Sequence, residues 1–221
     1  MKREIMLYIF DELNKLTDSF SERFLQLSSS PTSLSEERRI KVQKLRSSES
    51  KKQSVVAYLL LRIALLTECA IDEPVEFGYI DNGKPILPKY PQIHFNLSHC
   101  KTAVACALSP APIGVDIQHI TTVSERVANR VLTPDELTAY QNARNPDEYF
   151  CKIWAIKESF VKISGKGLRT DFRSLSADSV PNKIIHEGKN YFCCVCGDSV
   201  NEENMHLKMI RSEDFEQFAR Q

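Results

Sequence analysis

The chain has 221 residues, of which 42% are hydrophobic and 26% are charged, and its 29 basic and 29 acidic residues give a formal net charge of zero. A general nucleic-acid-binding protein would normally be basic, so this balance argues against that class. No apolar run approaches the ~20 residues of a membrane span, and the first residues lack the apolar stretch and cleavage site of a signal peptide. We therefore expect a cytoplasmic protein that binds neither nucleic acid nor a membrane.

Seven cysteines occur without framework spacing, which predicts reduced thiols. The CCVC segment at residues 193–196 lacks a second CxxC or an HxxxH pair at zinc-site spacing. Because YFCCVC also has the composition of a strand, a strand is favoured over a zinc site there.

The first half of the chain predicts a strand that ends at residue 10, a short charged helix over residues 35–45 and a long helix over residues 51–68. A Ser/Pro-rich loop over residues 28–35 precedes the short helix. Lys51 and Lys52 stand at the N-terminal end of the long helix, where the helix dipole disfavours cations. They are either solvated lysines or residues that await an anion.

A hairpin follows over residues 78–87, with the turn at Asn82-Gly83 and Lys84-Pro85 directly after it. The next strand, HFNLSH, alternates so that its polar residues share one face. Ser98 and His99 form a polar corner before the buried strand TAVACAL. This corner is either a ligand edge or an ordinary turn.

Pro110 and Pro112 mark a junction that divides the chain into halves 1–110 and 111–221. The strand IGVDIQHI comes after the junction. Asp116 and Gln118 are two residues apart on it, so their side chains project side by side, about 6.5–7 Å apart. Asp116 needs a cation, a basic residue or a turn to cap, and the strand alone leaves these alternatives open.

Two helix starts then follow one pattern, an N-cap residue and then Pro-Asp-Glu: Thr133-Pro134-Asp135-Glu136 and Asn145-Pro146-Asp147-Glu148. Each has an N-cap residue followed by Pro at the first helical position. The second helix is predicted to end at Gly165. Strands and turns are expected over residues 170–198, and a terminal helix over residues 210–221.

The helix that ends at Gly165 places Lys157 in the middle of its apolar stripe, Glu158 at the edge of the stripe and Lys162 one turn on. One interpretation is an ordinary amphipathic helix with a snorkelling lysine and a surface ion pair. The other is that the helix delivers two lysines and a carboxylate to a polar site. Carboxylates with open positions suit Mg²⁺, and lysines neutralise phosphate, so the second interpretation implies phosphoryl-type transfer from a pyrophosphate. Neither a Walker loop nor a GxGxxG fingerprint is present.

Three segments, FNLSH, GVDIQ and WAIKESFVKISGKGL, occur in this order. They resemble the three signature motifs of the Sfp-type 4′-phosphopantetheinyl transferases. The third motif, W-x-x-K-E-[SA]-x-x-K-x-x-G-x-G, is highly specific, and the three together are more so. The match covers pieces of residues 52–168.

The resemblance implies an α+β fold built as a pseudo-dimer of two similar halves, with the active site in the cleft between them. It implies a monomeric enzyme of the holo-[acyl-carrier-protein] synthase type. Such enzymes use Mg²⁺ and move the 4′-phosphopantetheine arm of coenzyme A to a serine of an acyl, peptidyl or aryl carrier protein. They release 3′,5′-ADP.

By motif match, the resemblance also assigns roles to residues. The expected catalytic residues are Asp116, Glu158 and Lys162. The expected metal ligands are Asp116, Gln118 and Glu158. The residues expected to contact coenzyme A are Lys51, Lys52, Lys84, Pro85, Ser98, His99, Lys157 and Lys162. The family's basic position near Lys51 and Lys52 shifts by a residue in the alignment, so Gln53 is an alternative counterpart. Many members have Glu where this chain has Gln118, which implies an altered metal affinity or preference.

Two other functions remain open on the sequence alone. One is a different Mg²⁺-dependent phosphoryl or nucleotidyl transferase, which would not need the pantetheine arm. The other is a non-catalytic module that binds coenzyme A or a carrier protein. The presence of both Asp116 and Glu158 favours an enzyme.

Overall fold

The computed structural model describes residues 4–27, 33–80, 83–165 and 171–220, which form an α+β fold. The strands are β1 (Ile5–Phe10), β2 (Gly78–Tyr79), β3 (Pro85–Ile86), β4 (His94–His99), β5 (Val104–Ser109), β6 (Gly114–His119), β7 (Lys183–Glu187), β8 (Tyr191–Cys196) and β9 (Met205–Ile210). The helices are α1 (Asp18–Gln26), α2 (Glu36–Gln43), α3 (Ser48–Cys69), α4 (Glu125–Val131), α5 (Pro134–Asn142), α6 (Pro146–Ser164) and α7 (Ser212–Phe218).

The two larger sheets of the described residues have the strand orders β4-β5-β1-β9 and β6-β8-β7, and β2 and β3 form a separate hairpin. Strand β1 lies inside its sheet, with all six residues buried, as its unbroken apolar run predicts. One face of β1 packs with α3. The other face packs with β6 and β8 of the second sheet, and the far side of β8 packs under α6. The order of layers is therefore helix, sheet, sheet, helix.

Most predicted elements are confirmed, including both capped helices. The Thr133 and Glu136 side chains form a complete capping box at α5, and Asn145 caps α6. Gly165 ends α6 with φ of 67°, a left-handed conformation that glycine adopts without strain. The predicted turn residue Asn82, most of the loop at residues 28–35 and residues 166–170 after α6 lie outside the described residues.

Helix α4 and strand β9 were not predicted. Helix α4 follows β6, and β9 pairs in parallel with β1, which adds a strand from late in the chain to the first sheet. Helix α7 follows β9 and places Phe215 against Phe10, with ring centroids 5.0 Å apart. The division at residue 110 and the pseudo-dimeric relation of the halves stay predictions.

Cys100, Cys106, Cys151, Cys193, Cys194 and Cys196 form no disulfide, and YFCCVC forms strand β8 as predicted. In the described part of the chain, no group of three or more His, Cys, Asp or Glu residues could hold a metal ion. Across the same residues, no helix combines the length and apolar character needed to cross a membrane.

Hydrogen bonds join the two large sheets where β4 runs beside β6. The Asn96 Oδ1 atom accepts a bond from the Val115 amide at 2.9 Å, and the Ser98 Oγ atom accepts one from the Ile117 amide at 3.2 Å. These are the polar residues that alternation placed on one face of β4. Their role is to satisfy the backbone of β6, which holds Asp116 beside Ser98.

Candidate active site

Helix α6 lies unusually close to strand β6. A Cβ atom on Gly114 would come within 1.9 Å of the Ser159 carbonyl oxygen, so only glycine permits this contact. Ser159 is itself fully buried. The glycine of GVDIQ and the serine of KESFVK thus allow the strand that carries Asp116 to meet the helix that carries Glu158 and Lys162.

Asp116 is the centre of the resulting cluster and is only 2% exposed. Its carboxylate accepts hydrogen bonds from Ser98 Oγ at 2.8 Å and from Gln118 Nε2 at 2.7 Å, and it forms an ion pair with Lys162. The Lys162 ammonium also donates to Ser98 Oγ at 2.9 Å. The structure therefore brings together four residues that the three motifs supplied.

Glu158 completes this cluster as a second carboxylate. It is half-buried, and within the described residues it has no hydrogen bond or salt bridge of its own. Burial raises the pKa of Glu158, the charge of Asp116 raises it further, and Lys162 opposes both effects. Within the described ranges, two carboxylates share one lysine here, so these residues leave the cluster with an excess of negative charge.

A cavity of about 430 Å³ begins at His99, next to this cluster. Its wall includes Pro85 and two basic residues of α2, Arg38 and Lys41. Burial and the nearby Lys162 lower the pKa of His99. The cavity and the carboxylate cluster therefore lie on either side of the Ser98-His99 corner.

Arg38 is 9% exposed and lies over the Phe77 ring, 5.4 Å from its centroid. Its Nη2 atom donates to the Ser54 carbonyl at 3.1 Å, whereas its Nε atom has no partner in the part of the chain that the structure describes. A buried guanidinium with a spare donor is costly unless an acceptor reaches it. This wall of the cavity is suited to an anion.

Sequence reasoning missed Arg38 and Lys41, because helix α2 appeared only as a short charged helix. Their spacing of three residues, which puts both on one helix face, is the signal that could have found them. Lys51 and Lys52, which were predicted instead, do not line the cavity. Lys52 bonds the Leu16 carbonyl and Asp18, while Gln53 does line the cavity.

Lys157 lies away from the cluster, contrary to the expectation that it contacts phosphate. Its side chain is fully buried and its ammonium bonds Glu136 Oε2 at 2.5 Å, the Val131 carbonyl at 2.8 Å and the Phe172 carbonyl at 3.0 Å. Each of its three protons has an acceptor, which leaves none for a ligand. Lys157 is a structural residue that ties α6 to α4, α5 and the turn after residue 170.

Lys84 also differs from expectation. Pro85 lines the cavity, but the Lys84 ammonium points to three backbone carbonyls, those of Ile113, Lys162 and Ile163. Burial lowers the pKa of Lys84 to about 8.

The fold and the site define an α+β protein with paired carboxylates and a basic cavity, a set of groups typical of enzymes that handle phosphates. A family model of the 4′-phosphopantetheinyl transferase superfamily matches residues 112–207. A 4′-phosphopantetheinyl transferase of Bacillus subtilis is 34% identical over 159 residues, which cover 70% of this chain and 68% of the relative. The 4′-phosphopantetheinyl transferase Sfp of Bacillus subtilis strain 168 is 31% identical over 178 residues, which cover 79% and 74%. The psf-1 enzyme of Bacillus pumilus is 36% identical over 107 residues, which cover 48% and 46%.

The chain therefore belongs to the 4′-phosphopantetheinyl transferase superfamily, and the predicted resemblance to its Sfp-type members is confirmed.

Proposed function

We propose that this protein transfers the 4′-phosphopantetheine arm of coenzyme A to a serine of a carrier protein, with Mg²⁺, and releases 3′,5′-ADP. The observation that carries the proposal is the placement of Asp116, Glu158 and Lys162 beside a basic cavity, in a chain that belongs to this superfamily. A non-catalytic binding module would need the cavity but not the carboxylates.

The cavity is the proposed site of the nucleotide end of coenzyme A. Arg38, Lys41 and His99 offer donors to its 3′-phosphate, and Pro85 offers an apolar surface to the adenine. The unpartnered Nε atom of Arg38 supports this assignment, since a phosphate oxygen would complete its hydrogen bonding. The pyrophosphate would then lie at the Ser98-His99 corner, within reach of Lys162.

The carboxylate cluster fits Mg²⁺, which binds well through one or two carboxylates together with substrate phosphates. Asp116 and Glu158 would hold the ion, with water or the neutral amide of Gln118 as a further ligand. The raised pKa of Glu158 supports this fit, because a cation would relieve the repulsion between the two carboxylates. When bound, Mg²⁺ would neutralise charge on the pyrophosphate.

In the proposed reaction, the carrier serine oxygen forms a bond to the β-phosphorus of coenzyme A. The bond from that phosphorus to the bridging pyrophosphate oxygen breaks, and this oxygen leaves with 3′,5′-ADP. Glu158 accepts the serine proton, directly or through a water molecule. Lys162 and Ser98 orient the phosphates, and the Lys162 charge offsets the negative charge that reaches the leaving oxygen.

The carrier is proposed to be an acyl, peptidyl or aryl carrier protein. One of the relatives reported above is named Sfp, which favours the Sfp type over the holo-[acyl-carrier-protein] synthase type. A monomer in the cytoplasm, free of nucleic acid and membrane, completes the proposal. Because the net charge is zero, docking of a carrier protein would depend on a local basic or apolar patch of the surface.

Mass spectrometry of candidate apo-carriers, incubated with the protein, coenzyme A and Mg²⁺, tests the proposal. We expect one carrier to gain the mass of one phosphopantetheine, and the gain to disappear when its acceptor serine is replaced by alanine or when a chelator removes Mg²⁺. Coenzyme A binding without any mass gain across acyl, peptidyl and aryl carriers would favour the binding module.

The cavity assignment has its own test, calorimetric binding of coenzyme A and of its analogue without the 3′-phosphate. Arg38→Met should weaken coenzyme A binding about 10- to 100-fold, the worth of a hydrogen bond to a charged group, and should leave the analogue nearly unaffected. Arg39→Met is the matched control, since Arg39 bonds the Leu27 carbonyl and Glu36 instead. Equal losses of affinity for both ligands would show that Arg38 does not contact the 3′-phosphate.

A further inference from the structure

Lys84 connects three elements at one point. It follows the turn of the β2–β3 hairpin, and its ammonium donates to the Ile163 carbonyl at 2.7 Å, the Lys162 carbonyl at 2.9 Å and the Ile113 carbonyl at 3.2 Å. Two of these oxygens belong to the last turn of α6, and the third lies directly before β6. The three ammonium protons are therefore shared between the end of the helix and the start of the strand.

The last carbonyls of a helix have no partner within the helix and carry the negative end of its dipole. A lysine is well placed there, because its positive charge and its donors satisfy both needs at once. Among the described residues no carboxylate is a partner of Lys84, so within that part of the chain the helix end balances its charge. Burial lowers the pKa of this lysine, and burial together with the charge of Lys84 lowers the pKa of His94 on β4.

Lys162 is consequently held at both of its ends. Its backbone carbonyl bonds Lys84, and its ammonium bonds Asp116 and Ser98. The Lys84 contact lies at the same end of β6 as Gly114, where strand and helix backbones approach each other. A change in this contact would shift the helix end relative to the strand that carries Asp116.

We propose that Lys84 is a positioning residue, whose ammonium fixes the last turn of α6 against the start of β6 and so keeps Lys162 in line with Asp116 and Ser98. This inference rests on the proposed transferase function for its kinetic consequences. It differs from a direct role in binding coenzyme A, since all three Lys84 protons are used within the protein. The hairpin thus links the nucleotide cavity, through Pro85, to the catalytic helix.

The test compares Lys84→Met with Lys89→Met. Lys89 lies in the segment after β3, is exposed and forms a salt bridge with Glu73 at the surface, so its replacement is the matched control. We expect Lys84→Met to lower kcat of transfer about tenfold or more, because misplaced catalytic groups cost rate steeply, with less than a threefold change in KM for coenzyme A. Lys89→Met should leave both unchanged. An unchanged kcat with a raised KM would overturn the proposal in favour of a phosphate contact.

Amide hydrogen exchange gives a readout that does not depend on activity. Amides of the last turn of α6, residues 161–164, should exchange at least several times faster in Lys84→Met and at the wild-type rate in Lys89→Met. Lys84→Arg keeps the charge and the donors, so it should restore much of kcat and of the protection, and it serves as the test if Lys84→Met does not fold. An arginine variant that is folded and protected but lacks turnover would contradict the positioning role. Failure of the proposed function would be separate, since wild type itself would then show no transfer.

Discussion

Helix α6 carries two lysines five residues apart that both pair with buried carboxylates, yet their surroundings differ. The pair of Lys157 with Glu136, here called the sealed pair, has side-chain exposures of 0% and 8%. The pair of Lys162 with Asp116, called the open pair, has exposures of 28% and 3%. Solvent therefore reaches one lysine and not the other.

The neighbours of the two pairs differ as well. In the sealed pair, burial raises the pKa of Glu136, but amide hydrogen bonds from Ala177 and Thr133 together with the bond and charge of Lys157 outweigh it, so this pKa is lowered. Lys157 therefore balances the negative charge of Glu136. In the open pair, Glu158 stands nearby as a second carboxylate whose pKa is raised. The same residue types therefore build a structural tie where charge is balanced and a candidate catalytic site where it is not.

The largest effect is expected at Glu158, the carboxylate that the open pair leaves uncompensated. Glu158→Gln removes the proposed proton acceptor and a metal ligand, so transfer should fall about 10²- to 10⁴-fold, the range typical of general base catalysis. Folding should survive, because the side chain is half-buried and makes no hydrogen bond among the described residues. Initial rates with saturating coenzyme A and carrier, together with a thermal melt, measure both.

The pH dependence sharpens this test. A carboxyl must lose its proton before it can act as a base or hold Mg²⁺, so the rate should rise with pH through the pKa of Glu158. Burial and the charge of Asp116 raise this pKa in the metal-free protein, and bound Mg²⁺ would lower it, so the rise should move to lower pH as the Mg²⁺ concentration increases. The rise should be absent in Glu158→Gln. It should be unchanged in the control Glu148→Gln, which makes the same substitution at an exposed residue near the start of the same helix. Full activity of the Glu158→Gln enzyme would show that Glu158 is neither the proton acceptor nor a required metal ligand.

The sealed pair predicts a loss of stability instead of activity. Lys157→Met leaves the Glu136 charge buried without its cation and two carbonyls without a donor, which should lower the free energy of unfolding by about 3–5 kcal/mol. Denaturant unfolding measures this loss. At temperatures where the variant is folded, KM for coenzyme A should stay within about threefold of wild type.

A double variant separates charge from packing. Lys157→Met with Glu136→Gln removes both charges, so it should recover part of the lost stability. No recovery would mean that the carbonyl bonds of Lys157, and not its pairing with Glu136, carry the stabilisation. A large rise in KM for coenzyme A in Lys157→Met would instead support the original prediction that Lys157 contacts a phosphate of coenzyme A.

Lys162→Met should lose more activity and less stability than Lys157→Met. Asp116 keeps its bonds from Ser98 and Gln118, and solvent can enter the space that the lysine leaves, so the stability loss should be less than half of that in Lys157→Met. Transfer should fall about 10- to 100-fold, because a charged hydrogen bond to phosphate is lost. Parallel unfolding and rate measurements on the two variants make the comparison. Equal stability losses would show that exposure does not separate the two pairs.

The sequence predicted what depends on local pattern. The alternation of β4 and β6 placed Ser98 and Asp116 correctly, and cap residues located both ends of α6. The partner of Lys157 was missed because Glu136 is 21 residues away on another helix and also serves as a capping residue. A wheel shows that a lysine lies in an apolar stripe but not whether a carboxylate lies opposite it.

The missed parts of the cavity and fold have a similar reason. Arg38 comes from α2, far along the chain from Ser98, and no local spacing connects them. Strand β9 owes its place to the edge of β1, with which it pairs in parallel, and α4 has only seven residues. Such placements depend on contacts between distant segments, which periodicity does not encode.

The smallest effect is expected at Gln118, beside the open pair. Gln118→Glu introduces the residue that the family resemblance leads us to expect at this position and adds a third carboxylate near Asp116 and Glu158. Since Mg²⁺ needs only one or two carboxylates along with phosphate, kcat should stay within about threefold at saturating Mg²⁺, while the Mg²⁺ concentration for half-maximal rate falls. Mg²⁺ titrations of wild type and variant measure both. Loss of turnover would instead show that the Gln118 amide, through its bond to Asp116 at 2.7 Å, keeps that carboxylate in its working position.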